Sequence, residues 1–181
     1  MVQSASAVTG SAPLAEDQRG LGPRQRQYWR VSRARMPFAL LYTSHNQVPP
    51  AALDHELAKV LEVSLAHNQA KSITGALVST PTRFAQVLEG PREAVMATMK
   101  RIEADPRHRD IVIVATEMIP QRSFARWSLA HIGMCPQLDD AMAKLSGGSS
   151  RPPLPGDVSA LWNLMSELAE AQFNADPTRS A

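Results

Sequence analysis

The sequence predicts an α+β domain in which five strands form a sheet and two helices cover one of its faces. Short apolar runs alternate with two longer segments whose apolar residues recur at helical spacing. Turns containing proline or glycine separate these segments. Hydrophobic residues make up 44% of the chain, a share that is usual for a globular protein. No run approaches the ~18–20 consecutive apolar residues of a membrane-spanning helix.

The first half of the domain is predicted as strand, helix, strand and strand. Residues 38–44 are a short apolar run typical of a buried strand. A pair of prolines follows, and residues ~51–66 then form a predicted helix. The apolar positions of that helix are Leu53, Leu57, Val60, Leu61 and Leu65. Residues 72–79 and 84–88 are predicted to pair as a hairpin across a short turn.

The second half repeats the pattern of a helix followed by strands. A second helix is predicted to begin at Pro91, because proline suits the first helical position. Its apolar stripe consists of Val95, Met96, Met99 and Ile102. Residues 111–119 are strongly β-branched, and residues 124–132 are predicted as the last strand. The order βαββαββ is the ferredoxin-like split βαβ plan with one additional strand.

The predicted domain occupies residues 36–135, and a basic segment precedes it. Residues 1–35 are rich in Ser, Gly, Pro, Gln and Arg and show no apolar period, so we expect them to be disordered. One interpretation is that translation begins at Met36 and the upstream segment is absent from the cell. The alternative is a basic anchor for an acidic partner or a membrane surface.

Residues 136–176 are predicted as a helical extension. A short helix is expected at 138–145, followed by a linker of Gly, Ser and Pro residues. Asp157 is placed to cap a final amphipathic helix at ~158–172. The apolar face of that helix either packs on the open face of the sheet or meets a partner. Its apolar residues are Val158, Leu161, Trp162, Met165 and Leu168.

The charge distribution argues against nucleic-acid binding by the domain. Residues 1–36 hold six arginines against two acidic residues, a net charge of +4, whereas the rest of the chain holds 13 basic and 15 acidic residues, a net of −2. The sequence pI of about 9.0 therefore reflects the basic segment and not the domain. The N-terminus has no apolar secretory core, and we expect a cytoplasmic protein.

The sequence lacks the common catalytic and metal-binding motifs. It has no zinc-type Cys/His spacing, no phosphate-binding glycine loop and no Gly-x-Ser-x-Gly elbow. The single cysteine, Cys135, excludes an intramolecular disulfide and is expected to serve in packing. His67 and His108 have no carboxylates in a ligand pattern, so no metal site is predicted. These absences disfavour a hydrolase or a metalloenzyme.

Polar residues in the predicted strands are the remaining signal. Tyr42 and Gln86 lie among apolar neighbours in the first and third strands, and Asn68 lies just past the first helix. A buried glutamine that lacks partners costs ~1–3 kcal/mol for each unsatisfied group. One explanation is that Tyr42 and Gln86 hydrogen-bond to each other or to the backbone and have no further role.

Four motifs and one strand tyrosine make the chain similar to the BLUF family of flavin photoreceptors. In addition to Tyr42, the matching stretches are residues 67–77 (HNQAKSITGAL), 84–90 (FAQVLEG), 105–108 (DPRH) and 124–128 (FARWS). They occur in the family's order and at compatible spacings, and they cover roughly residues 37–135.

The resemblance implies an FAD-binding site between the two helices. Tyr42 and Gln86 would be the photochemical pair, and Asn68 would hold the polar edge of the flavin ring. A guanidinium group suits phosphate, so the basic residues are expected at the ring's edge or near the ribityl and phosphate groups. These residues are His67, Arg107 and His108. Ile73 and the apolar helix faces would form dry walls around the ring.

The resemblance also implies a mechanism and an output route. Tyr42 would supply an electron and then a proton to the excited flavin, and the amide of Gln86 would rotate or tautomerise. The signal would pass through the last strand, at Trp127, Ser128 and Leu129, to the C-terminal helices. Leu129 departs from the family's usual methionine, and leucine cannot accept a hydrogen bond as a thioether weakly does, so the output route is in question.

Three function classes follow from these observations. The first is a light receptor, not an enzyme, that binds FAD and signals through a separate protein effector, with a homo-oligomer expected. The second is a ferredoxin-like interaction module that has lost flavin or the light response. The third is a flavin enzyme, which would need an acid–base group and a substrate cleft beside the ring, and the sequence offers no candidate.

Overall fold

The structure is a computed structural model that describes residues 36–133, 135–145 and 154–175. The predicted segment 1–35, the predicted linker and residue 176 lie outside this range. A 3-10 turn at Pro50–Ala52 follows the first strand. The remaining elements are β1 (Phe38–Asn46), α1 (Leu53–Ala70), β2 (Thr74–Ser79), β3 (Arg83–Gly90), α2 (Arg92–Glu103), β4 (His108–Met118), β5 (Ala130–Ile132), α3 (Pro136–Leu145) and α4 (Pro155–Ala175).

The five strands form one sheet in the order β4-β1-β3-β2-β5. The first four strands are antiparallel to their neighbours, and β5 runs parallel to β2. Two helical connections and a hairpin thus produce the predicted ferredoxin-like arrangement with one added edge strand. The prediction of an α+β, ferredoxin-like fold is confirmed.

The prediction of a strand over residues 124–132 is wrong for most of its length. Residues 123–126 form a turn, in which the N–H of Trp127 donates to the carbonyl of Phe124 at 3.1 Å, and β5 is confined to Ala130–Ile132. The physical reason lies in the backbone hydrogen bonds. The N–H groups of Ser123 and Phe124 donate to the carboxylate of Glu89, so they cannot join a ladder with β2.

The first helix is longer than predicted, and its apolar face is only partly covered. α1 continues to Ala70, which places Asn68 inside its last turn instead of beyond it. The N–H of Lys71 extends the hydrogen-bond ladder by donating to the carbonyls of His67 and Asn68. Leu65, expected on the apolar stripe, is 41% exposed. Asn68 is the one buried residue of α1, because most of the helix stands away from the sheet across a cleft.

Each face of the sheet carries its own helices. Leu40, Tyr42 and Leu88 point to the face covered by α2, whereas Leu41 and Val87 point to the opposite face. This alternation is the period of two that β-strands impose. On the opposite face, α3 and α4 bury Ala169 and five large apolar residues almost completely, at 0–1% exposure. The five large residues are Leu138, Met142, Leu145, Leu161 and Met165.

The final helix therefore packs on the sheet, the first of the two alternatives for its apolar face. None of the helices in the described part of the chain is long and apolar enough to cross a membrane. The described core belongs to one unit of the chain, which begins at Pro37.

Candidate functional site

A cleft of about 210 Å³ opens between α1, α2 and the sheet. Tyr42, Leu77 and Gln86 contribute to its floor from three neighbouring strands. Leu57 and Val60 line it from α1, because positions three apart lie on the same helix face. The cleft thus combines apolar walls with a few polar groups, the usual composition of a small-molecule site.

Tyr42 and Gln86 meet at the floor because β1 and β3 pair these two residues directly. The Oη of Tyr42 donates to the Oε1 of Gln86 at 2.8 Å. Burial raises the pKa of Tyr42, with a smaller contribution from Asp105, so the phenol keeps its proton. Since Oε1 is engaged by Tyr42, the amide NH₂ of Gln86 is available to an acceptor in the cleft.

Asn68 lies where the last turn of α1 meets the segment that precedes β5. Its Nδ2 donates to the carbonyl of Ser128 at 2.8 Å, and the side chain is almost fully buried. Its backbone carbonyl accepts the N–H of Ile73 at 2.8 Å, which holds the end of α1 close to β2. Asn68 also lines the cleft, so its side-chain oxygen offers an acceptor there.

His67 joins the two helices at the side of the cleft. Its Nε2 lies 3.2 Å from the Oγ1 of Thr98 on α2. Burial lowers the pKa of His67, and the positive charges of Arg101 and Lys71 lower it further. The imidazole is therefore neutral near pH 7, when it can exchange one hydrogen bond with the hydroxyl of Thr98.

His108 lies at the floor beside the photochemical pair predicted from sequence. Its Nδ1 is 2.8 Å from the Oγ of Ser44, and its ring centroid is 4.7 Å from that of Phe84 and 6.0 Å from that of Tyr42. Burial lowers the pKa of His108 to about 4. The ring is consequently uncharged at physiological pH.

Arg107 lines the cleft but is already held by carboxylates. Its Nη2 donates to the Oδ2 of Asp105 at 2.6 Å, and its Nη1 lies 3.7 Å from Glu56. Although partial burial acts in the opposite direction, hydrogen bonds from Arg107 hold the pKa of Asp105 below its usual value. The guanidinium is thus fixed in position, with part of its donor capacity committed to protein groups.

The structure gathers six of the seven predicted cofactor-binding residues around the cleft. These are Tyr42, His67, Asn68, Gln86, Arg107 and His108. Ile73 is buried in the adjacent apolar cluster with Tyr42 and does not line the cleft. The expectation that Ile73 forms a wall of the site therefore has no support from the geometry.

The three predicted signalling residues lie outside the cleft and divide between the two faces of the sheet. Trp127 packs against the apolar cluster under α3 and α4, with its ring 5.8 Å from that of Phe173. Ser128 contacts the site through its carbonyl and Asn68. Leu129 is buried beside Leu77, next to the floor of the cleft. Trp127 thus lies between the turn and β5 and not within a strand.

Sequence reasoning missed several lining residues that lie on the helices. Thr98 and Arg101 face the cleft from α2, and Lys59 and Ser64 face it from α1. Ile102, predicted on the apolar stripe of the second helix, lines it as well. For Ser64 and Thr98 the signal was present in the helical spacing, since both lie three or four residues from predicted core residues. Lys59 and Arg101 have no such spacing. Exposed basic residues at such positions are not distinguishable from an ordinary solvated surface by sequence alone.

Comparison with protein families places most of the described sheet in one family. The model described as "BLUF: Sensors of blue-light using FAD" matches residues 38–130. This range contains both members of the Tyr42–Gln86 hydrogen bond and the cleft between α1 and α2.

Comparison with characterised proteins gives light-responsive relatives. The chain is 33% identical over 113 residues to the photoactivated adenylate cyclase subunit beta of Euglena longa, covering 59% of this chain and 13% of that protein. It is 33% identical over 128 residues to the blue light- and temperature-regulated antirepressor BluF of Escherichia coli, covering 67% and 30% respectively. The chain therefore spans less than a third of either relative.

Solved structures agree with the fold. The dark-state structure of BlrB, a BLUF protein, aligns with a TM-score of 0.60 and 28% identity, over 73% of this chain and 96% of that chain. The photo-activated state of BlsA aligns with a TM-score of 0.61 at 24% identity, which supports the fold alone. Since the family match spans more than half of the chain and includes its cleft, the protein belongs to the BLUF family of blue-light sensors that use flavin.

Proposed function

We propose that the protein is a blue-light receptor that holds FAD in the cleft and signals through a hydrogen-bond switch at Tyr42 and Gln86. The observation that carries this proposal is the 2.8 Å hydrogen bond from the Oη of Tyr42 to the Oε1 of Gln86 at the cleft floor. Asn68 lies at the same cleft and connects it to the backbone of Ser128.

The residues of the cleft fit a flavin. The amide NH₂ of Gln86 and the Oδ1 of Asn68 supply a donor and an acceptor for the polar edge of a ring, and Leu57 and Val60 supply apolar walls. At about 210 Å³ the cleft is smaller than the ~300–1,000 Å³ of typical ligand sites. It therefore suits the ring alone and leaves the phosphates at the mouth.

The lining of the cleft includes basic groups of the kind that bind phosphates. Lys59, Arg101 and Arg107 line the cleft from α1, α2 and the loop before β4. Guanidinium and ammonium groups form strong charge-assisted hydrogen bonds with phosphate oxygens. Glu56 and Asp105 also line the cleft and pair with Lys59 and Arg107, so the lining carries a surplus of one positive charge. This surplus favours a phosphorylated flavin over one without phosphate.

The chemistry assigned to the chain is a reversible transfer between Tyr42 and the bound group. When bound, the flavin supplies the absorption of blue light and an oxidising excited state. Tyr42 would supply one electron and the proton of its Oη and would then recover both. Gln86 would exchange its hydrogen-bond pattern, by rotation or tautomerisation of the amide. Because nothing is consumed, the result is a switch and not enzymatic turnover.

The output route proposed from this geometry runs from Asn68 to α4. A change at Asn68 alters its bond to the carbonyl of Ser128, and Ser128 adjoins Trp127, which packs on Phe173 of α4. Coupling of ~1–3 kcal/mol is usual between two sites of an allosteric protein. The separate protein effector and the homo-oligomer stay predictions from the family resemblance.

The decisive experiment is an absorption spectrum in darkness and directly after blue illumination. We expect a flavin spectrum that shifts to the red and recovers in darkness. Gln86→Ala and Tyr42→Phe should abolish the shift while retaining bound flavin. Gln69→Ala, at an exposed position of α1, is the matched control and should keep it. Chromatography of the cofactor released by heat should identify FAD and not FMN.

Other results would contradict the proposal in distinguishable ways. A colourless protein that does not bind added FAD would favour the light-insensitive interaction module. A yellow protein whose spectrum does not respond to light would retain the cofactor but overturn the switch at Tyr42 and Gln86.

A further inference from the structure

Glu89 is a buried carboxylate that the photochemistry does not use. It lies on β3 three residues after Gln86, its side chain is fully buried, and it points to the opposite face of the sheet from the cleft. A buried carboxylate is unfavourable unless its oxygens receive hydrogen bonds. Its burial in the centre of the sheet therefore requires partners.

Those partners come from the turn that precedes β5. The Oε1 of Glu89 accepts the N–H of Ser123 at 2.8 Å, and its Oε2 accepts the N–H of Phe124 at 3.0 Å. The hydroxyl of Thr74 also donates to Oε2 at 3.2 Å. Two successive backbone N–H groups thus converge on one carboxylate, in the way that an acidic residue caps the start of a helix.

Arg122 strengthens the same attachment. Its Nη1 donates to the hydroxyl of Thr74 at 3.1 Å, and its Nη2 donates to the carbonyl of Ser72 at 2.8 Å. The turn is therefore fastened to β2 by the arginine and to β3 by Glu89. Burial raises the pKa of Glu89, and the hydrogen bonds from Phe124, Ser123 and Thr74 oppose that shift.

The segment that Glu89 fastens touches both the cleft and α4. We define the bridging segment as residues 123–129. At its end, the carbonyl of Ser128 accepts from Asn68 at the cleft. At its start, the Oγ of Ser123 accepts from the Nε1 of Trp162 on α4 at 3.0 Å. Glu89 thus binds the N–H of Ser123, the residue that contacts α4, and also the N–H of Phe124, the next residue.

We propose that Glu89 is a positioning residue that fixes the bridging segment on the sheet, so that a change at Asn68 reaches α4 through a rigid connection. The transmission of a light-driven change to α4 rests on the proposed light-receptor function. The attachment of the turn to the sheet by Glu89 is independent of light. A segment that is held at one end transmits a displacement from its other end, whereas a free turn absorbs it.

Glu89→Gln is the informative substitution, because it keeps the shape of the side chain. One of the two oxygens becomes an NH₂ group, which cannot accept from a backbone N–H. Either Ser123 or Phe124 then loses its acceptor. Glu93→Gln, on an exposed position of α2, makes the same change without touching the turn and is the control.

The measurement is hydrogen–deuterium exchange by mass spectrometry in darkness and under blue light, together with the flavin spectrum. In Glu89→Gln we expect amides 123–129 to exchange at least tenfold faster in darkness. The light-induced flavin shift should persist, and the light-minus-dark difference in α4 should fall at least fivefold. Glu93→Gln should behave as wild type. A merely structural defect would change exchange equally in darkness and in light, and the light-minus-dark difference in α4 would then persist.

The opposite results would overturn the proposal. An unchanged light-minus-dark difference in α4 of Glu89→Gln would show that the carboxylate does not position the segment for signalling. If the wild-type protein shows no light response, the proposed function fails by itself. Unchanged dark exchange at 123–129 in Glu89→Gln would then overturn the positioning role. Should Glu89→Gln not fold, Thr74→Val removes one donor to the same carboxylate, and a smaller acceleration in the same amides is expected.

Discussion

Gln86 acquires its role from a neighbour on another strand. Direct pairing of β1 with β3 places Tyr42 opposite Gln86 on the face that carries α2, while Val87 and Glu89 point the other way. The sequence predicts this pair from two polar residues within apolar strands and from the family motifs. It does not predict Glu89, because nothing along the chain shows that residues 123 and 124 return to its carboxylate.

Asn68 has two tasks, and its loss should affect both. Asn68→Ala removes the amide at the cleft and leaves the carbonyl of Ser128 without its donor. A hydrogen bond of ~1–2 kcal/mol corresponds to roughly a tenfold change in an equilibrium constant, so we expect flavin affinity to fall about tenfold or more. Titration of the apoprotein with FAD measures this. Asn163→Ala, exposed on α4, should bind as wild type.

His108 should make stability fall in acid. Its pKa is about 4 in the folded protein, below the ordinary 6.5, so the unfolded chain binds a proton between these values and the folded protein does not. This contribution is complete above pH 6.5 and diminishes as the pH falls towards 4. From pH 7 to pH 5 the loss is about 2 kcal/mol.

Urea unfolding of wild type and His108→Asn at both pH values isolates this contribution. The wild-type loss should exceed that of His108→Asn by about 2 kcal/mol. His55→Asn, at an exposed position near the start of α1, should lose as much as wild type. Equal losses in wild type and His108→Asn would show that the buried imidazole does not cause the acid sensitivity.

At the level of elements, β2 and β3 approach so closely that one position admits only glycine. A Cβ on Gly75 would lie 2.0 Å from the carbonyl oxygen of Val87, a backbone atom that cannot move aside without breaking the ladder. Gly75 also donates its N–H to the carbonyl of Trp127 at 3.1 Å. The same residue thus joins the hairpin and the bridging segment.

Gly75→Ala should be among the most damaging single substitutions in the domain. We expect a loss above about 4 kcal/mol or failure to fold, because only a few mechanisms, of which a backbone clash is one, give such values. Gly133→Ala is the matched control, since a Cβ there meets nothing within 4 Å. Thermal unfolding of both variants measures the difference. A Gly75→Ala protein as stable as Gly133→Ala would contradict the close approach.

Sequence patterns predicted the elements that depend on local apolar periodicity and turn residues. They failed for the last strand, whose start is bound by the side chain of a distant residue. β1, the hairpin, α2 and the final helix follow from apolar period and turn residues, and their bounds differ by a few residues. The stretch 124–132 has strand-like composition, but Glu89 captures its first N–H groups and leaves a three-residue strand. A hydrogen bond over more than thirty positions leaves no periodic trace in the sequence.

At the level of the molecule, the sheet depends on helices from both sides. The sequence predicted α3 and α4 but not the surface on which α4 packs, because amphipathic periodicity indicates an apolar helix face and not what covers it. Full burial of a large apolar side chain contributes about 1.5–3 kcal/mol. The burial of the five large residues of α3 and α4 is therefore a favourable term of about 8–15 kcal/mol before the opposing conformational entropy, against a net stability of about 5–15 kcal/mol for a typical domain.

Truncation from the two ends should consequently have opposite results. The predicted boundaries at 35 and 135 stay predictions, and two shortened chains test them. Residues 36–181 should melt at the same temperature as the full chain, since the described core begins at Pro37. Residues 1–135 should aggregate or fail to bind flavin. Calorimetry and size-exclusion chromatography measure both, and a soluble, flavin-binding 1–135 chain would contradict the requirement for α3 and α4.

The late position of α4 in the chain has a consequence during synthesis. The apolar face of β3 is complete at Val87, but the helix that covers it contributes Met165, which the ribosome adds later. At ~5–20 residues per second this interval is roughly 4–16 seconds. During this interval the nascent sheet exposes an apolar surface to other chains on the polysome. A chaperone that binds this surface would protect the protein until α4 is synthesised.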